Sequence, residues 1–116
     1  MLQSTGRQPE FHVDVLLYRD GDAWAAHCLQ LDLVECGPSR EEAQEAMLDV
    51  IRAHIVYALE HDNMEYLFHP APPEVWKLFL GAELIGSKTI RIESMGDALS
   101  VPSVIVQEAS ARANSA

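Results

Sequence analysis

From Phe11 onward the hydrophobic residues fall at every second position, Phe11, Val13, Val15 and Leu17, with His12 and Asp14 between them. That period predicts a strand with one buried face. The stretch Arg19 to Asp22 reads RDGD, and its Asp-Gly pair suits a tight hairpin turn. A second strand follows in AWAAHCLQL, with Trp24, Ala26 and Cys28 on one face and Ala25 and His27 on the other. DLVEC supplies a third short strand, ended at Gly37-Pro38 because proline has no N–H for the ladder. Three consecutive strands make an antiparallel meander, and its apolar face needs a cover.

After Ser39 the period changes. Ala43, Ala46, Met47, Val50, Ile51, His54, Ala58 and Leu59 recur at spacings of three and four, predicting an amphipathic helix that ends near HDN, 61–63. Ser39 with Glu42 forms a capping box, and Glu41 and Glu42 sit where the helix dipole favours acids. Glu41, Glu45, Asp49 and Arg52 form the outer face. Beyond Asn63 the pattern is broken by three prolines at 70, 72 and 73, which forbid a continuous helix. Val75 to Leu80 fits two helical turns. KTIRIES sets Ile90 and Ile92 against Thr89 and Arg91, an amphipathic strand, and Val104, Ile105 and Val106 mark another candidate. The expected fold class is α+β: a three-stranded antiparallel meander, one long helix across one face, and a further strand, in the order β-β-β-α-β.

Composition bounds this picture. With 116 residues, 48% of them hydrophobic, the chain makes one domain with a genuine core. Residues 10–109 are assigned to it, residues 1–9 to a flexible leader and 110–116 to a small, polar, disordered tail. No apolar stretch has the length of a membrane span or a signal-peptide core, so a cytoplasmic chain without membrane contact is expected. Two cysteines do not imply a disulfide framework. The net charge of −10 disfavours direct binding to nucleic acid. Residues 1–62 hold twelve acids and four bases, a net of −8, and residues 63–116 hold six and four, a net of −2. The field therefore belongs to the first half, where it would steer a basic macromolecule or simply keep the chain soluble.

The run from Val13 through RDGDAWAAHCLQLDLVECG into PSREEAQEAMLDVIRAHIVYAL resembles the N-terminal domain of HicB-like antitoxins, over residues 11–62. Gly37, Ser39, Glu41, Glu42 and Ala43 stand at the positions of that family's G-x-T/S-x-E-E-A helix opening. Two features depart from it. The family's P-D-L-P-G-C loop is here CLQLDLVEC, and nothing after Asn63 reads as a DNA-binding helix-turn-helix or ribbon-helix-helix segment. The resemblance implies a stand-alone domain with a partial RNase-H-like sheet and helix, whose role would be to bind and mask a small basic RNA-cleaving toxin.

RNase-H-type nucleases hold divalent metals with converging carboxylates, which makes Asp14, Asp20, Asp22, Asp32 and Glu35 the candidate ligands. Asp14 lies on the outer face of its strand, Asp20 and Asp22 flank a turn, and Asp32 and Glu35 fall on opposite strand faces, an arrangement that does not converge. His27 and Cys28 are adjacent and point to opposite faces. Cys28 and Cys36 lack zinc spacing and are read as two buried thiols. His54 is read as a hydrogen-bonded core or boundary histidine, and His61 as a helix-terminal one. His69 falls in the proline segment. Trp24 packs the sheet to the helix, while Trp76 either closes the open side of the core or docks on another subunit.

The expected function is accordingly non-enzymatic, without catalytic residues, metal or cofactor. It rests on protein contacts through Asp20, Asp22, Asp32, Glu35 and Trp76, with a small basic toxin as partner and self-association through an uncovered sheet edge. The alternative is a homo-oligomeric structural or regulatory domain; a degenerate hydrolase ranks third.

Overall fold

A computed structural model describes residues 10–92 and 103–111. The expected leader at 1–9, and the tail from 112 on, lie outside the described residues. Among the described residues eight elements follow one another: β1 (Glu10–Asp20), β2 (Ala23–Cys28), β3 (Leu33–Gly37), α1 (Arg40–Glu60), a 3-10 turn (Met64–Tyr66), α2 (Pro73–Leu80), β4 (Glu83–Arg91) and β5 (Ser103–Ser110). The strands form one mixed sheet in the order β3-β2-β1-β5-β4. The predicted meander is present, with β1 antiparallel to β2 and β2 antiparallel to β3. The expected further strand is a pair: β5 lies parallel to β1, and β4 runs antiparallel along its outer side.

Alternation along β1 works as read, but both faces are buried. Val13, Val15 and Leu17 enter the core beneath α1, while Leu16 joins Leu29 and Ala71 in a second cluster bordered by Val75, Trp76 and Phe79 of α2. The unbroken run Val15-Leu16-Leu17 is the local trace of that double burial, the pattern of a strand covered on both sides. Trp76 thereby closes the open face of its own sheet, and its Nε1–H donates to the Ala71 carbonyl at 3.1 Å.

The first hairpin is shifted by one residue from the expected one. Asp20 pairs with Ala23, so Gly21 and Asp22 are the two turn residues. Gly21, at φ 67°, holds the first central position, where glycine serves type II′ hairpins. Ser39 Oγ accepts from the Glu42 N–H at 3.1 Å, making the Ser39 half of the capping box. The core stripe of α1 is Ala43, Gln44, Met47, Ile51, Ile55 and Ala58. His54, expected on that stripe, is exposed, one position before Ile55. At the other end, Asn63 N–H donates to the Ala58 carbonyl and Asp62 N–H to that of Leu59. This is a Schellman stop, with Asp62 at φ 54° in glycine's usual place.

In the second half, β4 begins five residues before Lys88 and carries a bulge between Leu84 and Gly86. At the C-terminal end the sheet outlasts the expected boundary at 109. Ser110 is buried, and Ala111 N–H donates to the Leu17 carbonyl at 2.7 Å.

Candidate functional site

A groove of about 440 Å³ opens between the β2–β3 turn, the C-terminal half of α1 and the 3-10 turn. Asp32, His54, Tyr57, Asn63, Tyr66 and His69 supply its polar and aromatic lining, above a floor of Leu31, Leu33, Ala58 and Leu67. Backbone bonds assemble it: the His69 N–H donates to Gln30 O at 2.9 Å and the Ala71 N–H to Leu29 O at 2.7 Å. The proline segment is thus laid alongside the chain leaving β2.

Asp32 occupies the left-handed region at φ 54°, which a short polar side chain tolerates better than most. Its Oδ1 accepts from His27 Nε2 at 2.7 Å; the imidazole is 10% exposed and the carboxylate 41%. The buried ring therefore anchors a carboxylate that stays partly exposed at the edge of the groove. On the α1 wall, His54 Nδ1 meets the Val50 carbonyl at 3.0 Å, and His61 Nδ1 meets that of Tyr57 at 2.9 Å. The rings of Tyr57 and His61 stack at 3.9 Å. Tyr57 is 56% exposed, and Tyr66, which also lines the groove, is 68% exposed. Such a surface offers aromatic faces and a hydrogen-bonded carboxylate together.

The five residues expected to contact a partner occupy three places. Asp20 ends β1 and Asp22 is in the β1–β2 turn, while Asp32 and Glu35 lie at and after the β2–β3 turn. The two turns are separated by the length of β2, about 20 Å for six residues. Trp76 is on the face opposite α1. Only Asp32 lines the groove. Asp14 is engaged with Gln30, whose Oε1 accepts from Asp14 N–H at 2.7 Å and whose Nε2 donates to Asp14 Oδ2 at 2.8 Å. Among the described residues no cluster of three or more His, Cys, Asp or Glu could hold a metal ion.

One expectation about the thiols is overturned. Cys28 is buried, but Cys36 is exposed. Cys36 pairs with Ala25, so it lies on the sheet face away from α1 and on an edge strand. Trp24 does pack against the α1 core, with the Arg19 and Arg40 guanidinium groups 5.6 and 5.8 Å from its ring centre.

Sequence reading missed Tyr57, Asn63 and Tyr66. The available signal was an aromatic residue off the core stripe of α1, between Ile55 and Ala58. Among the described residues no helix is long and apolar enough to cross a membrane. Comparison of the whole chain with protein-family models, with curated proteins and with solved structures returns no match in any of the three.

Proposed function

We propose that this chain is a HicB-like, antitoxin-type binding domain that masks a small basic RNA-cleaving protein, seating a basic side chain of that partner in the groove beside Asp32. The observation that carries the reading is the juxtaposition of the anchored Asp32 carboxylate with the exposed rings of Tyr57 and Tyr66. A guanidinium or ammonium group entering there would gain a charge-assisted hydrogen bond and an aromatic face at once. Tyrosine is also among the residues that dominate interface energies. The net charge of −10 supports the same reading, because an acidic surface speeds encounter with a basic partner and rejects acidic ones.

The test is recovery of the tagged protein from its native cell, with co-purifying chains identified by mass spectrometry and assayed for RNA cleavage. A basic chain should co-purify, and adding the protein should suppress its cleavage of RNA. Asp32→Asn combined with Tyr66→Ala should weaken the complex by at least tenfold, about 1.4 kcal/mol or more. Return of the protein alone, or a complex indifferent to both substitutions, would sink the proposal.

A further inference from the structure

The chain contains five histidines, and four of them gather at the groove. His54 of α1 and His69 of the proline segment line it. His27 of β2 holds Asp32, and His61 stacks on Tyr57. His12 stands elsewhere, on β1, with Glu10 at 3.5 Å. Among the described residues that line the groove, Asp32 is the one carboxylate, and the other titratable groups are Tyr57 and Tyr66. Glu60, Asp62 and Glu65 are close by in sequence but are not part of the lining.

Hydrogen bonding fixes which nitrogen of a ring is available. A carbonyl oxygen only accepts, so the contact of His54 Nδ1 with the Val50 carbonyl at 3.0 Å places the hydrogen on Nδ1. Nε2 is then the nitrogen that takes up a proton, and the uptake leaves the bond to Val50 in place. The same holds for His61 Nδ1 on the Tyr57 carbonyl at 2.9 Å. This wall of the groove can therefore gain positive charge without breaking a hydrogen bond of the fold.

We infer that the groove is a proton-controlled cation site, in which acidification from about pH 7.5 to about 5.5 charges His54 and His69 and lowers the affinity for a basic side chain. The inference rests on the reading that such a side chain sits beside Asp32. Histidine is the residue that ordinarily changes charge in this range, whereas ordinary carboxylates stay ionised. Each new charge opposes a guanidinium or ammonium group held in the same cavity of about 440 Å³. Salt does not cancel that repulsion, because screening takes about 8–10 Å to act. A proton on the His27 ring works in the same direction, since it offsets the Asp32 carboxylate at 2.7 Å. A basic partner is thus held near neutral pH and released in acid.

The probe is the blocked peptide acetyl-Gly-Arg-Gly-amide, which has no group that titrates in this range. NMR titration at constant ionic strength, followed on the ring signals of Tyr57 and Tyr66, gives its affinity at both pH values. Binding should be weaker by about fivefold or more at the lower pH. His54→Gln with His69→Gln should remove most of that ratio, and His54→Gln alone, at an exposed helix position, should remove part of it. His12→Gln should leave the ratio unchanged. A ratio that survives the double substitution, or is lost equally on His12→Gln, would overturn the inference. A peptide bound at neither pH overturns the reading of the groove and this inference with it, whereas one bound equally at both overturns this inference alone.

Discussion

Gly37 stands where β3 meets the first turn of α1, and a Cβ added there would lie 2.8 Å from the Ala43 nitrogen and 3.0 Å from the Glu42 carbonyl carbon. Both are helix backbone and cannot swing aside as a side-chain tip would. Gly37→Ala should therefore cost about 1–3 kcal/mol, read as a lower denaturant midpoint at unchanged slope. Cys28 makes a different residue-scale prediction. Burial pushes its thiol up from 9.0 to about 11, partly offset by hydrogen bonds from the Leu31 and Gln30 backbone. A group harder to ionise in the fold than in the unfolded chain stabilises the fold fully below pH 9.0. That contribution is then lost as the pH rises to about 11, at roughly 1.4 kcal/mol per pH unit. Tyr18 is raised too, by burial first and then by Asp20 and Cys36. The difference between wild type and Cys28→Ala across this range isolates the thiol, and an identical pH slope in both would refute it. Both residues were visible in the sequence as a strand end and an inward-facing cysteine. The close approach at Gly37 was not, because it depends on the angle at which α1 leaves the sheet.

Among the elements, α1 and β5 are joined by a polar clamp. Gln44 Nε2 donates to Glu108 Oε1 at 2.9 Å, and Glu108 is only 2% exposed. Gln44→Leu removes the donor and leaves the carboxyl group buried without it, at a cost of about 1–3 kcal/mol. Adding Glu108→Leu should recover much of that loss, since replacing both partners by apolar groups can be close to neutral. Thermal or urea unfolding of the two variants and their combination measures the coupling; additive losses would remove the clamp. Periodicity placed α1, β1, β2, β3 and the short α2, because each carries its signal within a dozen or so consecutive residues. The early start of β4 escaped it. Leu84 and Ile85 sit side by side with Gly86 at a bulge, where two-residue alternation fails.

Over the whole molecule the dominant property is the acidic field, and it yields a prediction about rates. If the groove takes a basic partner, raising ionic strength should slow association far more than it speeds dissociation, because steering acts beyond contact distance and is screened over about 8–10 Å. Stopped-flow association at low and high salt distinguishes this from an apolar interface, whose on-rate would barely move. By itself the sequence determined what depends on near neighbours along the chain: the meander, the cap at Ser39, the helix and its length, and the sign of the field. Only the tertiary structure decided that β5 slots in parallel between β1 and β4, that α2 and Trp76 cover the second face, and that Asp32 stands apart from Asp20 and Asp22. It also brought Asp32, Tyr57, Tyr66 and His69 around one groove. The physical reason is that these relations join residues tens of positions apart. Their free energy comes from surfaces buried between elements and from long-range backbone bonds such as Ala111 to Leu17, and no local period records those.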